Sequence, residues 1–540
     1  MESIARKGGE NASRPIQKWQ AKKGLPRAKR WPGGQGEAQV NRFQIIWESA
    51  SRNPIRFLLL WVAAIVGLRL SFVVAYTLIN GGFLGVDEGA YILGVQALTD
   101  SNPWASGIHF TRAPLSPGWL LWPFLQVFGL VWGSNLYSFA ASLPAIGGFY
   151  LLARAIFSTK WAVATTMLFS FDWVQAELLV TGTAPLMGMT WMMVLVAGML
   201  RNDTRWGRLA IVIAMPLIAY TNQTSLALSV VTVPLVWLML PDKRRLMLWL
   251  AVGAALTLTA LPWYWEVVPG TGRMSYPGAF IYLNPAWSAH WHFMVAGVVL
   301  GGVALLKGSP PRLRALAAAM TAHAVLQIFL SHDEAFMNLF FRSTAWMMPL
   351  WWIVAAWTVK QHGLTVYRRV VRQLGFADRP NWAMLRVSFV ALLAFGLFGV
   401  AMQYKGQAYY SELAGGPMLD AIAQIDLDHA EVIGTNAESR GYYIAAVTKR
   451  TVVWTQSALP ATAYVEKEAA LRCEIGWIEN CERLGHITHF LIDEHNRQID
   501  AAQAIYRSPD PANPWDFSNM PWMVEVYRQG SIVLYELEPA

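Results

Sequence analysis

Eleven apolar segments, separated by loops whose positive charge falls on alternate members, constrain this chain more than any other feature. They centre near residues 57–79, 135–154, 161–172, 184–200, 207–221, 224–240, 246–265, 290–306, 315–330, 343–359 and 387–403. A helix needs roughly 20 apolar residues to cross a bilayer, so the shorter segments have soft ends. Only 14% of the 540 residues are charged and 55% are hydrophobic, against roughly 25% charged in soluble domains. The expected class is a polytopic α-helical membrane protein.

Topology follows from where the positive charge lies. Leu115 to Val131 is apolar but broken by Pro117 and Pro123, and if it crossed the membrane every later loop would change sides. Placed at the interface instead, it puts four groups on the side of the basic N-terminus: Arg154 with Lys160, Arg201 with Arg205 and Arg208, Lys243 to Arg245, and Lys307 with Arg312 and Arg314. The stretch from Lys360 to Arg386 joins them. Cytoplasmic loops carry such an excess, so the segment is read as an interfacial helix, to which Trp119 and Trp122 are suited. About eleven transmembrane helices result, in the inner (plasma) membrane, with the N-terminus cytoplasmic and the C-terminus outside.

The net charge of +9 is concentrated in residues 1–42, where ten Lys and Arg face three Glu, leaving about +2 elsewhere. Residues 1–56 are expected to be a disordered cytoplasmic tail near anionic lipid rather than a nucleic-acid-binding arm. No cleavable signal is expected ahead of Phe57, and the first span is expected to act as a signal anchor. Residues 57–403 form the transmembrane domain, with a first external loop over 80–134. From 404 to 540 the chain turns polar, and alternating runs (Ala430–Gly434, Thr451–Thr455, Thr488–Asp493, Ser531–Glu536) are interleaved with helical patterns. That mixture predicts an extracytoplasmic α/β domain. Cys473 and Cys481 both fall in it, where a local disulfide is expected, with two free thiols as the alternative.

The external side collects the chemistry. Asp87 and Glu88 directly follow the first span, where a partly desolvated carboxylate can serve as a general base towards an acceptor hydroxyl; an interface charge pair or helix cap is the plainer alternative. A single base without a nucleophilic partner implies inversion at a sugar carbon. Arg112, in the same loop, and Arg342, at the start of a late span, carry guanidinium groups that bind phosphate bidentately. Asp172 and Glu177 flank the next external turn, where they could order an acceptor or hold a divalent metal. No ligand cluster with recognisable metal spacing is present. Arg69 lies inside the first span, and an intramembrane charge needs a partner within the protein.

With these residues in place, the chain resembles the polyprenyl-phosphate-sugar-dependent glycosyltransferases of the GT-C fold, notably the protein O-mannosyltransferases and the lipid A aminoarabinose transferases. The D-E pair at 87–88, the H-F-T-R-A-P-L run at 109–115 and the F-R-S-T-A-W-M-M-P-L run at 341–350 carry the likeness. The resemblance implies that Asp87 is the catalytic base, that Arg112, Arg342 and His109 meet the donor phosphate, and that the acceptor is a lipid, an envelope glycan or a protein. Ala113 replaces the first proline of the usual pair, Ser343 replaces a tyrosine, and T-N-Q-T-S at 221–225 lacks an arginine. The donor sugar stays open. Two rival readings are a transporter or flippase, which would favour repeated halves and mid-membrane sites, and a non-catalytic envelope assembly protein.

Overall fold

The computed structural model describes residues 53–84, 88–99, 101–102, 118–170, 183–262, 298–305, 309–330, 337–363, 365, 415–430, 432–435, 438–454, 487–493 and 523–537. The chain divides into two compact units, Met1–Asn53 and Pro54–Ala540. Everything below concerns the second.

Helix α1 spans Pro54–Asn80. Proline suits its first position, where the missing N–H would have no intrahelical partner, and apart from Arg56 and Arg69 the helix is mostly apolar around its circumference. Gly81, at φ +65°, ends it in the left-handed conformation favoured at helix C-termini. Helix α2 (Glu88–Leu98) lies in the first loop. Helix α3 runs over Gly118–Ile156 and bends at Gly129, whose φ of 75° and ψ of −177° are open only to glycine. At about 1.5 Å per residue its 39 residues would extend roughly 58 Å, nearly twice a hydrocarbon core of about 30 Å. The bend divides it into an arm, 118–128, and a long shaft, 130–156. The arm folds back closely, since a Cβ on Gly133 would lie 2.6 Å from the Phe124 carbonyl oxygen. Leu121 is buried while Trp119, Leu120, Trp122, Val127 and Phe128 are exposed, so the arm presents an apolar outer face.

The shaft packs against α4 (Thr159–Phe169) and α5 (Thr183–Leu200), and α5 packs on α6 (Arg205–Thr221) and α7 (Gln223–Met239). Helix α8 (Lys243–Thr257) lies against α6, and α9 (Pro311–Leu330) joins α10 (Met337–Thr358) and α7. Phe149 and Phe169 stack at 3.9 Å in the common core beside Met192 and Met193. Outside, Leu59, Leu60, Leu78, Met247, Leu248 and Leu256 are exposed, an apolar exterior suited to lipid. Among the described residues, α1 and α3 are long and apolar enough to cross a membrane, and Ala184–Leu200 and Thr224–Met239 are shorter apolar helices.

Contacts gather the basic turns at one end of this bundle. Arg312, at the start of α9, lies 3.6 Å from Asp203 in the α5–α6 turn. Lys360, just past α10, sits over the Phe157 ring in the α3–α4 turn. Arg208 and Lys243 cover the Trp249 and Trp237 rings. The charge alternation read from sequence therefore corresponds to one end of the bundle.

The C-terminal part holds α11 (Gly416–Ile422), α12 (Glu438–Thr448) and a five-stranded sheet. The strands are β1 (Val432–Thr435), β2 (Thr451–Trp454), β3 (Ile487–Asp493), β4 (Met523–Gln529) and β5 (Ile532–Leu537), in the order β2-β1-β3-β5-β4. β1 pairs parallel with β2 and β3, and α12 provides the crossover such a pair requires. β4 and β5 form an antiparallel hairpin through Gly530 at φ +61°. These elements share one apolar core with the first loop: Ile92, Leu93, Val95 and Leu121 pack with Met418, Ile433, Tyr443, Ala445 and Leu534.

Candidate functional site

The segment V-W-G-S-N-L-Y-S-F-A-A-S, residues 131–142, breaks an otherwise apolar helix with polar residues. Ser134, Ser138 and Ser142 are one turn apart, so the 3.6-residue period aligns them on one face with Asn135 beside them. All four are fully buried. Buried polar groups need partners, and those of Asn135 and Ser138 are the two banks of the acidic loop.

Asn135 holds the bank before Asp87. Its Oδ1 accepts from the Leu84 amide at 2.6 Å, and its Nδ2 donates to Gly82 O at 3.0 Å and Thr77 Oγ1 at 2.9 Å. The Tyr76 hydroxyl donates to Phe83 O at 3.1 Å. Ser138 holds the bank after it, donating to Glu88 Oε1 at 2.9 Å. Glu88 is fully buried and begins α2, where the helix dipole favours a carboxylate. From Ser138 to Arg154 the shaft advances about 24 Å, so this polar cluster and the basic turns sit at opposite ends of the bundle.

One turn further along the shaft, Ser142 Oγ accepts from Arg69 Nη1 at 3.2 Å, and Ser170 O accepts from Nη2 at 3.1 Å. Arg69 thus has structural partners, as expected, and both are neutral dipoles. Deeper in the bundle Thr232 joins three helices. Its Oγ1 accepts from Trp346 Nε1 at 3.0 Å, its hydroxyl reaches Leu228 O at 3.0 Å, and His323 Nε2 lies 2.7 Å away. With that hydroxyl proton used on Leu228, the histidine must donate from Nε2.

Of the residues singled out from sequence, Glu88 is placed with its side chain. Arg342 lies on α10, near its N-terminal end, and its side chain is outside the described set. Asp87, His109, Arg112, Asp172, Glu177, Cys473 and Cys481 lie outside the described residues. Among the described residues no group of three or more His, Cys, Asp or Glu could hold a metal ion. Sequence reasoning passed over Asn135 and Ser138, although the four-residue spacing of serines in an apolar run is a signal for them. It also passed over Gln96, Asn102 and Tyr443, whose partners are hundreds of residues away.

No family model and no curated protein matches the sequence. Solved structures do match. ArnT from Cupriavidus metallidurans in the apo state aligns with a TM-score of 0.52 at 16% identity, over 88% of this chain and 97% of that one. The same protein bound to undecaprenyl phosphate aligns with a TM-score of 0.50 at 15% identity, over the same shares. The arabinofuranosyltransferase AftD from Mycobacteria aligns with a TM-score of 0.52 at 14% identity, over 90% of this chain and 40% of that one. The fold is that of the GT-C glycosyltransferases. Within this fold the described part of the candidate site is a frame on the two sides of residues 85–87, with Asn135 bonded to Gly82 and Leu84 and Ser138 bonded to Glu88.

Proposed function

We propose that this protein is an inverting glycosyltransferase of the inner membrane that moves a sugar from a polyprenyl phosphate to an acceptor outside the cytoplasm. The observation that carries the reading is the polar frame around the acidic loop, built into a GT-C fold at the end of the bundle away from the basic turns. In the proposed arrangement about eleven helices cross the membrane, the N-terminus is cytoplasmic, and the α/β part lies outside.

Asp87 takes the proton from the acceptor hydroxyl. The hydroxyl oxygen attacks the anomeric carbon from the face opposite the phosphate, the carbon–oxygen bond to phosphate breaks, and polyprenyl phosphate departs with the electron pair. Arg112 and Arg342, with His109, hold the phosphate charge as it develops. Asp172 and Glu177 order the acceptor or hold a divalent metal. Glu88 has a separate role. A fully buried carboxylate held by Ser138 fixes the loop and leaves Asp87 to meet the substrate. The solved likeness bound to undecaprenyl phosphate supports a lipid-phosphate donor class.

Lipid analysis of cells with and without the gene tests the reading. A polyprenyl-phosphate sugar should accumulate in the deletion strain and be cleared by the wild-type gene but not by Asp87→Asn, whereas Arg112→Ala should chiefly weaken donor binding. Unchanged lipid-linked sugars, or full complementation by Asp87→Asn, would overturn it.

A further inference from the structure

Resting on the reading of Asp87 as the base, we infer that Tyr443, on the crossover helix of the C-terminal sheet, is the positioning residue that sets where the acidic loop stands. Tyr443 is 1% exposed. Its ring stacks on Phe83 with centroids 4.2 Å apart and planes inclined by 22°. On the other side of the loop, a Cβ added to Gly89 would lie 2.9 Å from the Tyr443 backbone nitrogen and 3.0 Å from its Cδ1. One residue therefore touches both ends of the segment 84–88, two positions beyond Asp87 and four before it. Glycine at 89 is what admits this approach, because any side chain there would push α2 and α12 apart.

The far end of the same helix pair is locked by hydrogen bonds. Gln96 Nε2 donates to Ala446 O at 2.8 Å, and Asn102 Nδ2 donates to Ala445 O at 3.2 Å and to Gln96 Oε1 at 2.8 Å. Carbonyls in the last turn of a helix run short of donors within it; Ala445 O also accepts from Lys449 N at 3.0 Å, and the side chains of the first loop add their bonds to this end of α12. With α2 fixed in rotation and height at its C-terminal end, contact with Tyr443 at its N-terminal end fixes Phe83 and Gly89, the two residues that bracket the acidic loop. Positioning a reacting group within fractions of an ångström is worth orders of magnitude in rate, so a loosened loop should lower turnover before it lowers donor affinity.

The test compares Tyr443→Phe, Tyr443→Leu and Gly89→Ala in purified protein. The substrate is the polyprenyl-phosphate sugar that accumulates in deletion cells, and turnover is read as polyprenyl phosphate released. Tyr443→Phe keeps the stack and should stay within about threefold of wild type. Tyr443→Leu and Gly89→Ala should each lower kcat at least tenfold with the donor KM within about threefold, in samples whose thermal unfolding shows an intact fold. Wild-type kcat in folded Tyr443→Leu would overturn the positioning role, as would equal losses in Tyr443→Phe and Tyr443→Leu, or a rise in KM without a fall in kcat. Gly89→Ala keeps the question open to measurement if Tyr443→Leu does not fold, and wild-type kcat in it would be equally decisive. A wild-type protein that releases no polyprenyl phosphate, or an Asp87→Asn variant as active as wild type, would instead remove the underlying assignment of the base.

Discussion

Replacing Asn135 by leucine isolates the frame that holds the acidic loop. Leucine matches asparagine in side-chain heavy-atom count and in branching at Cγ, so no cavity forms and the chief loss is one of hydrogen bonds. Three are removed, but Thr77 keeps its bond to Val73 O at 2.8 Å. Two backbone groups, Leu84 N–H and Gly82 C=O, are left buried without that partner. Each such group costs about 1–3 kcal/mol, so the substitution should destabilise the closed turn by about 2–6 kcal/mol. Whole domains are stable by only about 5–15 kcal/mol, and opening residues 81–84 to water is cheaper than unfolding the bundle. The expected result is a folded protein with a loosened turn. Hydrogen exchange at the Leu84 amide should accelerate by about 30-fold or more, the equivalent of 2 kcal/mol at about 1.4 kcal/mol per decade. Exchange at the core of α5 should not change. Asn135→Asp keeps the acceptor for Leu84 and should protect that amide better than leucine does. Exchange at Leu84 within twofold of wild type in Asn135→Leu would show that the asparagine does not hold the loop.

Two other expectations can be checked with the same protein. A double-mutant cycle on Glu88→Gln and Ser138→Ala should give a coupling of about 1.5–3 kcal/mol, the range for a hydrogen bond to a charged group, measured by denaturant unfolding; a coupling near zero would remove the bond between them. In the sheet, burial lowers the pKa of His489 while Glu536 and Asp426 oppose the shift, and hydrogen bonding to Asp426 raises that of His429. The folded state then binds fewer protons at His489 than the unfolded state does, so that site lowers stability as pH falls through the ordinary histidine range of about 6.5. The His429 pair contributes in the opposite sense, lost as pH rises through its raised pKa. Carbon-detected imidazole titrations should place His489 below and His429 above the free value, and Asp426→Asn should bring His429 down.

Much of the architecture was legible in the sequence because it is written in local patterns. The basic turns at 154–160, 201–208 and 243–245 mark one end of the bundle, and Arg312 and Lys360 reach across to join them. Period-two runs marked β1, β2, β3 and β5 to within a residue or two at most ends. β4 was missed because M-V-E-V-Y-R-Q mixes charge with its alternation, and the register shifts between Glu525 and Tyr527. Helix α12 escaped because its buried face, Tyr442 to Ala446, answers a partner helix some 350 residues earlier. The prolines and tryptophans of 115–131 set that segment apart in the sequence, but its helical continuity with the shaft through the bend at Gly129 was not legible, since only backbone geometry distinguishes a bend from a break. At the site, an acidic pair advertises itself by charge, while the asparagine and serine that frame it look like minor interruptions in a span.

The hydrogen bond from Gln96 to Ala446 joins residues 350 positions apart, and that separation has a meaning in time. At synthesis rates of about 5–20 residues per second, α2 is complete roughly 20–70 seconds before the helix that it caps. Throughout that interval Ile92 and Leu93 have no sheet to pack against, and nothing stacks on Phe83. The newborn chain can insert its helices in order, yet the contacts of Phe83, Gln96 and Asn102 with α12 form only once residue 448 of 540 has been made. A chain cut short before Tyr443 would carry α1 to α10 but neither the ring that stacks on Phe83 nor the carbonyls that receive Gln96 and Asn102, so the first loop takes its final packing only after the bundle has been made.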